Sequence, residues 1–271
     1  TYDYAHRYMV EFNFGYNGSE NFAPDNRFGF FPSVGLGWAV SNEKWFEPAS
    51  KVINFMKLRA TWGKVGNAKI TGRRFAYLAT IQNKGSDTFG QNGDQSFSGL
   101  EIGEEAVDVS WETAYKWNLG LDINTLSNAL SLHADVFYDM REGIFLARGD
   151  LPWYVGMTNM PLGNLGKVKN KGFEVSAEYK KQFNDEWFLS LMANCSFNRN
   201  EVVDNDVKYA YPWLDVRGQR VGQRYGYIAE KLFESDEEVA ASAYQSGDTR
   251  AGDIKYKDLN GDGKIDQYDK A

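Results

Sequence analysis

The sequence GFEVSAEYK at residues 172–180, followed by KQFNDE and then by WFLSLMANCSFN at residues 187–198, decides the fold class. In both runs apolar side chains alternate with polar or smaller ones, a period of two that is typical of a β-strand with one apolar face. The turn-prone residues 181–186 predict that the two strands form a hairpin. The apolar face is continuous and contains aromatic residues, whereas the other face carries carboxylates, amides and hydroxyls. This pattern is typical of a transmembrane barrel strand, although a strand of a soluble β-sandwich can alternate in the same way.

The same alternation recurs along the first two thirds of the chain. It predicts strands at residues 7–17, 29–40, 56–65, 115–123 and 130–138, and a weaker pattern suggests a further strand at 75–81. The connections 41–55, 124–129 and 181–186 are short to medium, whereas 67–113 and 141–171 are long; the exception is 18–28, a short loop on the side of the long ones. Outer-membrane barrels have short periplasmic turns and long extracellular loops. The sequence therefore predicts an all-β, antiparallel transmembrane β-barrel segment of about seven or eight strands with long extracellular loops.

The period of two also assigns each strand residue to a face. The side chains predicted to face lipid include Phe12, Trp38, Trp62, Trp117, Leu132, Val175 and Leu191. The side chains predicted to face the lumen include Glu11, Arg59, Asn118, Asp135, Glu174 and Asn194.

The composition supports this class of protein and excludes others. Of 271 residues, 15% are aromatic and 27 are glycine, which suits long strands, interfacial aromatic residues and tight turns. The net charge of −7 and the absence of a basic cluster argue against a nucleic-acid partner. The two histidines are far apart in the sequence and have no ligand or catalytic spacing, and we find no nucleophile or phosphate-binding motif. The chain is therefore not expected to be an enzyme.

The chain changes character after residue 198. Residues 1–198 are predicted to form the barrel strands and their loops, and residues 199–271 an extracellular loop region. Within the latter, Ser235 is expected to cap a short helix at residues 235–243 whose first turn is acidic.

The loop region ends in a sequence that resembles a calcium-binding loop. Oxygen-bearing side chains fall at the first, third, fifth, ninth and twelfth of twelve positions, a glycine lies at the sixth, and the seventh residue could bind through its carbonyl. The predicted Ca²⁺ ligands are Asp258, Asn260, Asp262, Lys264, Asp266 and Asp269. Asp269 stands where glutamate is usual. The alternative is a turn rich in Asp and Asn that is ordered without metal.

Four aromatic residues in the predicted outer loops lie beside proline or glycine. They are Trp153, Tyr154, Tyr211 and Trp213. Their rings could stack on a sugar or on peptide side chains, or they could simply pack the loops together.

Four separated motifs resemble the SusC/RagA family of TonB-dependent outer-membrane transporters. They are FGFFPSVGLGWAVSNEKWF at 28–46, KLRATWGKVGN at 57–67, NLGKVKNKGFEVSAEY at 164–179 and GDIKYKDLNGDGKID at 252–266. The most specific part is the spacing of Asn164, Gly166, Asn170, Gly172 and Glu174.

This resemblance implies a segment of the C-terminal part of a plugged barrel of about 22 strands, a size typical of such transporters. It also implies a place in the outer membrane of a Gram-negative bacterium and import of an oligosaccharide or peptide without chemistry on it. The implied partners are a SusD-like surface lipoprotein, TonB and outer-membrane lipid. The alternative from another class is a soluble extracellular β-sandwich that binds carbohydrate, which would bury its apolar faces against each other.

Overall fold

The computed structural model describes residues 1–70, 74–104, 106–149 and 160–271. The chain forms two compact units, Thr1–Asp206 and Val207–Ala271. The helix–strand content is dominated by antiparallel strands, as the sequence predicted. In the described parts of the chain, no helix has the length and hydropathy needed to cross a bilayer.

The first unit is built on an eight-stranded antiparallel sheet in the order β1-β2-β3-β4-β7-β8-β9-β10. Its strands are β1 (Tyr2–Tyr4), β2 (Tyr8–Gly18), β3 (Phe28–Ala39), β4 (Ile53–Asn67), β7 (Glu112–Thr125), β8 (Leu130–Ala147), β9 (Leu162–Gln182) and β10 (Phe188–Asp204). Within the described residues the sheet does not close, since β1 and β10 are its edge strands. An open sheet of this kind is consistent with a segment of a barrel wall, and the all-β, antiparallel character that the sequence predicted is confirmed.

The predicted strand at 75–81 is wrong. Residues 75–79 form turns, and Phe75 has a positive φ of 54°. A separate hairpin follows instead, made of β5 (Thr80–Phe89) and β6 (Gln95–Glu104). Every residue of β5 is exposed, so its sequence has no buried face whose alternation could be recognised.

Three other boundaries differ from the predictions. The predicted loop 141–171 contains the end of β8 and the first part of β9, and β10 continues past residue 198 to Asp204. The register shifts around Ile144, beside Gly143 with its positive φ of 68°, which interrupts the alternation that would have shown β8 continuing.

Neighbouring strands in the sheet are antiparallel, so the connections between them alternate between the two ends of the strands. One end of the strands carries the turns 126–129 and 183–187 and the segment 40–52, which contains the 3₁₀ helices Val40–Asn42 and Lys44–Lys51. The other end carries the connections 19–27, 68–111 and 148–161. The first of these contains the 3₁₀ helix Pro24–Asn26. The two longest connections therefore share one end of the strands, as the sequence predicted, although the nine-residue connection 19–27 lies at that end and the thirteen-residue segment 40–52 at the other.

The buried core of the first unit lies at the end of the strands that carries the two longest connections. Its buried members are Phe22, Ile70, Ala76, Val109 and Phe145, with Ala68, Val107, Trp111 and Leu162 packed against them. These residues come from two connections, 19–27 and 68–111, and from β8 and the first residue of β9. The two connections are consequently folded onto one another rather than being independent.

Asn164 fixes one of these loops to the sheet. Its side-chain oxygen accepts the N–H of Ser110 at 2.8 Å, and its amide nitrogen donates to the carbonyls of Ser110 at 2.9 Å and Gly143 at 2.8 Å. The Asn164 side chain thereby links Ser110, in the connection before β7, to Gly143 of β8.

Replacing Asn164 by leucine should therefore loosen the outer loops. The similar volume is kept, but three backbone groups lose their partners, and leaving such groups unsatisfied costs about 1–3 kcal/mol. We expect faster hydrogen exchange at residues 106–111 and a lower denaturant midpoint. Asn13→Leu, an exposed amide on β2, is the matched control and should leave exchange in these loops unchanged.

The second unit is small and mostly irregular. It contains the hairpin of β11 (Ala229–Leu232) and β12 (Ile254–Tyr256), the helix α1 (Asp236–Ala241), and the 3₁₀ helices Pro212–Leu214 and Gln267–Asp269. Ser235 caps α1, because its hydroxyl accepts the N–H of Glu238 at 3.3 Å. The predicted short helix and its cap are confirmed.

Glu238 of α1 contacts both strands of the β11–β12 hairpin, and these contacts are expected to make the stability of the second unit depend on pH. Its carboxylate accepts the N–H of Glu234 and lies 3.2 Å from the ammonium of Lys231 and 3.3 Å from that of Lys255. The Glu234 N–H first, and then the two ammonium groups, lower the pKa of the Glu238 carboxyl to about 2.

A carboxyl whose pKa is depressed on folding stabilises the fold at pH values above its unfolded pKa of roughly 4.3, and this contribution is lost as the pH falls toward the folded value. We expect hydrogen exchange in β12 and α1 to accelerate as the pH falls from 4.5 to 2, after correction for intrinsic rates. Glu238→Gln should flatten that profile and Glu230→Gln should not. A wild-type profile equal to that of Glu238→Gln would contradict the role of this carboxylate.

Candidate functional site

The strand register divides the side chains of the sheet between two faces of different chemistry. On the first, which we call the apolar face, Phe12 is opposite Val34, Val34 opposite Trp62, and Trp62 opposite Trp117. On the second, the polar face, Arg59 is opposite Gly120, Gly120 opposite Asp135, and Asp135 opposite Glu174. Every residue assigned to lipid or lumen from the sequence lies on the corresponding one of these two faces.

The apolar face is not covered by another layer of the described chain. Its side chains of Phe12, Leu36, Leu119, Val136 and Leu191 are 52–60% exposed. A soluble sandwich would bury such a face against a second sheet. A continuous exposed apolar surface of this extent marks contact with a membrane or another protein. The sandwich alternative is therefore not favoured.

Aromatic pairs lie toward the ends of the apolar face. Tyr16 stacks on Phe28 near the long connections, with ring centroids 5.3 Å apart, and Tyr8 stacks on Trp38 near the short ones, at 6.5 Å. Rings at both ends of an apolar band are the pattern of a transmembrane barrel, where they lie at the two membrane–water interfaces.

Arg59 organises the charged groups of the polar face. Its guanidinium donates to Asp122 from Nε at 2.8 Å and from Nη2 at 3.1 Å, and to Asp135 from Nη2 at 3.1 Å. His133 Nδ1 lies 2.9 Å from Asp122 Oδ1. Gly120 provides the space, since a Cβ there would lie 2.6 Å from the guanidinium. The cluster joins β4, β7 and β8 and pairs the Arg59 guanidinium with two carboxylates of the wall.

The glycines of the NLGKVKNKGFEV motif are explained by close packing. A Cβ at Gly172 would lie 2.2 Å from the backbone oxygen of Phe197 and 2.7 Å from the ring of Phe137. A Cβ at Gly166 would lie 2.8 Å from the side chain of Leu146. The specificity of this motif is therefore structural at Asn164, Gly166 and Gly172.

Of the four loop aromatics, the structure brings two together. Trp153 and Tyr154 lie outside the described residues. The rings of Tyr211 and Trp213 stack with centroids 4.7 Å apart and planes at 10°. Tyr268, which the sequence did not suggest, packs edge-on against Tyr211, and its carbonyl accepts the Trp213 indole N–H at 2.7 Å. The facing surfaces of this pair are thus used in packing within the loop.

The predicted calcium loop is folded around its own backbone. Asp258 accepts the N–H groups of Gly261 and Gly263 at 2.7 and 2.9 Å. Asp269 is fully buried and accepts the N–H groups of Leu259 and Asp266, each at 2.8 Å. A further N–H to carboxylate or amide bond satisfies each of Asn260, Asp262 and Asp266.

These contacts use only part of the capacity of the carboxylates, each of which offers about four lone-pair positions. Within the described residues, no three His, Cys, Asp or Glu side chains are grouped in the way that a metal site requires. Binding an ion in this loop would therefore need its carboxylates to move inward.

The family to which this fold belongs follows from sequence comparison. The model of the family described as "TonB dependent receptor-like, beta-barrel" matches residues 1–269. The chain belongs to this family. Because the match covers both compact units, the second unit is part of the same family domain in sequence. The family is one of outer-membrane transporters of Gram-negative bacteria and is generally non-enzymatic.

Individual relatives agree with this assignment. The chain is 30% identical to TonB-dependent receptor P3 of Formosa agariphila over its full length, and 27% identical to TonB-dependent receptor SusC of Bacteroides thetaiotaomicron. It covers 28% of the first and 27% of the second, so it spans little more than a quarter of these relatives.

Solved structures show the same fold. The RagAB peptide importer in its open-open state aligns with a TM-score of 0.70 at 19% identity, over 97% of this chain and 27% of that one. Its closed-closed state aligns with a TM-score of 0.68 at 21% identity, over 97% and 28%. The family match and the SusC relative, together with this shared fold, confirm the SusC/RagA resemblance of the sequence motifs.

Proposed function

We propose that this segment forms part of the wall of an outer-membrane importer that moves an oligosaccharide or a peptide through its lumen without chemistry on it. The observation that carries the proposal is the sheet itself, which has one continuous exposed apolar face and one polar, charged face. Family membership supports it. The partners proposed with it are a SusD-like surface lipoprotein and TonB, which would supply the energy for uptake.

Uptake by cells that produce the full-length transporter tests this function. Labelled neutral oligosaccharides or peptides should accumulate in the periplasm of these cells, and a strain deleted for the gene should not take them up. An uncoupler of the proton-motive force should abolish accumulation and leave surface binding intact. Equal uptake with and without the gene, for both substrate classes, would refute import as the function.

The orientation in the membrane gives a sharper structural prediction. A cysteine at Asn92, in the β5–β6 turn, should react with an impermeant maleimide in intact cells, and a cysteine at Asp185, in the β9–β10 turn, should react only after lysis. Both are built on Cys195→Ser, which removes the native thiol of the apolar face. Labelling of position 185 in intact cells would reverse the proposed topology.

Substrate contacts in the outer loops are proposed at Tyr211 and Trp213, together with Trp153 and Tyr154 of the preceding long loop. The outward surfaces of the Tyr211–Trp213 pair are the ones available for stacking, since the inner surfaces contact each other.

We also propose that Ca²⁺ orders the loop from Asp258 to Asp269, with Asn260, Asp262, Asp266 and the carbonyl of Lys264 as further ligands. The support is the spacing of oxygens and the two ends of the loop, which already fold toward the same backbone segment. The shorter arm of aspartate at the twelfth position suggests weak binding, with Kd roughly 10⁻⁴–10⁻³ M.

Calorimetric titration of the full-length protein tests this cation site. Calcium at millimolar concentration should release or absorb heat that Asp262→Ala removes, while Asp248→Ala, an acidic residue outside the loop, keeps it. No calcium-dependent heat would leave the loop as a turn ordered by its own side chains.

A further inference from the structure

Two cationic residues lie next to each other on the apolar face, toward the end of the strands that carries the two longest connections. Lys171 of β9 is the cross-strand neighbour of Arg199 of β10, and both residues are exposed. They share the apolar face with Phe173 and Phe197, which lie two residues along the same strands and stack with ring centroids 5.9 Å apart. We call Lys171 and Arg199 the cationic pair.

The charges of the cationic pair are not neutralised within the sheet. Among the described residues, neither Lys171 nor Arg199 has an ion-pair or side-chain hydrogen-bond partner. Two residues further along, Lys169 and Glu201 are opposite each other and form a 2.7 Å ion pair, so that carboxylate is already in use. Like charges directly opposite each other on a sheet repel. The sheet therefore holds two neighbouring positive charges that a bound anion would offset.

The position of the cationic pair matches one boundary of a membrane's hydrocarbon layer. From Lys171 to Lys181, which lies on the same face, β9 extends about 34 Å. A strand tilt of about 35–45° reduces this length to about 24–28 Å along the membrane normal, and the apolar band of a transmembrane barrel is about 25 Å tall. The apolar-face residues of β9 between these two lysines are all uncharged: Phe173, Val175, Ala177 and Tyr179.

The two ends of this band differ in charge on β9 and β10. At the end with the short turns, the ammonium of Lys181 lies 5.4 Å from the ring centroid of Phe183. At the other end, Lys171 and Arg199 have Cβ atoms about 5 Å apart, as cross-strand neighbours do. One phosphate group can therefore accept charge-assisted hydrogen bonds from both side chains, including two from the guanidinium fork.

We propose that the cationic pair binds the phosphate group of an anionic lipid in the outer leaflet and so holds one lipid molecule against β9 and β10. This inference rests on the proposed function, because it uses the same orientation of the sheet in the membrane. Long cationic side chains place their charged ends at the headgroup level while their stems cover apolar surface. The acyl chains of the lipid would cover Phe173 and Phe197, which are 42% and 51% exposed.

The test uses the full-length transporter purified in an uncharged detergent, with bound lipid and the number of protein chains counted by native mass spectrometry. The probes are a lipid A that carries one phosphate, the same lipid after removal of that phosphate, and inorganic phosphate. The test variant combines Lys171→Gln with Arg199→Gln. Lys181→Gln is the matched control, because it removes a lysine of the same strand and face at the other end of the band.

Wild type should bind the phosphorylated lipid at least tenfold more tightly than the dephosphorylated one, because the phosphate supplies the charge-assisted hydrogen bonds. The double variant should bind the two lipids equally, and Lys181→Gln should keep the wild-type preference. Inorganic phosphate at millimolar concentration should not displace the lipid, since it lacks the acyl contacts.

Two further measurements separate a lipid site from a merely structural role. Glu201→Gln releases Lys169 from its ion pair, so it should strengthen binding of the phosphorylated lipid. In detergent without lipid, the double variant should unfold at the same denaturant concentration as wild type or at a higher one, because it removes the repulsion between like charges.

Four results would overturn the lipid site. They are a double variant that keeps the preference for the phosphorylated lipid, a wild type that binds both lipids equally, displacement of the lipid by inorganic phosphate, and a double variant that changes the number of chains in the assembly but not lipid binding. The last result would assign the cationic pair to an interface between copies. Each of the four leaves import intact if wild-type cells still take up substrate in an energy-dependent way. Loss of that uptake would instead refute the proposed function.

Discussion

Replacing Gly172 by alanine should destabilise the barrel wall by about 2–3 kcal/mol, the upper part of the range for overpacking. The added methyl group would lie 2.2 Å from the carbonyl oxygen of Phe197 and 3.0 Å from the Cα of Asn198, both of them backbone atoms of β10. Neither can rotate away, so β9 and β10 would have to separate locally. The measurement is urea unfolding of the refolded full-length protein, followed as the shift in midpoint at constant slope.

Gly35→Ala is the matched control for this prediction. Gly35 also lies on the polar face of a strand, but its added methyl group would be 3.8 Å from the nearest side-chain atoms of Glu11 and Thr61, an ordinary contact. We expect no loss of stability, or a gain of about 0.5 kcal/mol, because alanine restricts the unfolded chain. Equal destabilisation at both positions would show that any substitution of a wall glycine is harmful and that the contact with Phe197 is not the cause.

The strands of the sheet could be predicted from the sequence because each has an apolar environment on one side and a polar one on the other. Apolar and polar residues therefore alternate along the strand. Each membrane-crossing strand separates an apolar from a polar surroundings, so a period of two extends along it, as between Phe173 and Tyr179. The assignment of residues to the two faces and the positions of the hairpins follow from this alternation.

The pattern fails where this two-sided environment ends. Beyond Asn198 the next residues, Arg199, Asn200 and Glu201, are polar on both faces, although they continue β10 and pair with Lys171, Asn170 and Lys169. The same holds for β5, whose residues are all exposed and show no alternation. Here the hydrogen-bond ladder sustains the strand, and ladders leave little trace in composition.

The polar sites could be predicted residue by residue but not as assemblies. Arg59 and Asp135 were both assigned to the lumen, yet their contact joins residues 76 positions apart and depends on the register of three strands. The association of Tyr268 with Trp213, 55 positions apart, was likewise not visible in the sequence. By contrast, Ser235 and the loop at Asp258 bond their own near neighbours, and local bonds of this kind are what spacing alone can show.

Leu119→Arg is expected to cost about 2–4 kcal/mol of stability in a lipid bilayer. Leu119 lies on the apolar face of β7, two residues from Trp117 on one side and two from Leu121 on the other, and its side chain is 59% exposed with no covering layer in the described chain. Placed toward the middle of the apolar band, a guanidinium would have to leave water or distort the bilayer around it.

Asn118→Arg separates burial in lipid from a general effect of a new charge. Asn118 is the adjacent residue of the same strand, but it lies on the polar face opposite Thr61 and Phe137. There an arginine reaches the water-filled side, and we expect a change below about 1 kcal/mol. Reversible unfolding from liposomes, with both variants and wild type, measures the difference directly. A third variant, Leu191→Arg, lies close to the β9–β10 turn and should cost clearly less than Leu119→Arg, because the penalty falls to about 0–1 kcal/mol near the interface. Equal costs at positions 118 and 119 would mean that the apolar face does not contact lipid, and equal costs at 119 and 191 would mean that what covers it is not a bilayer.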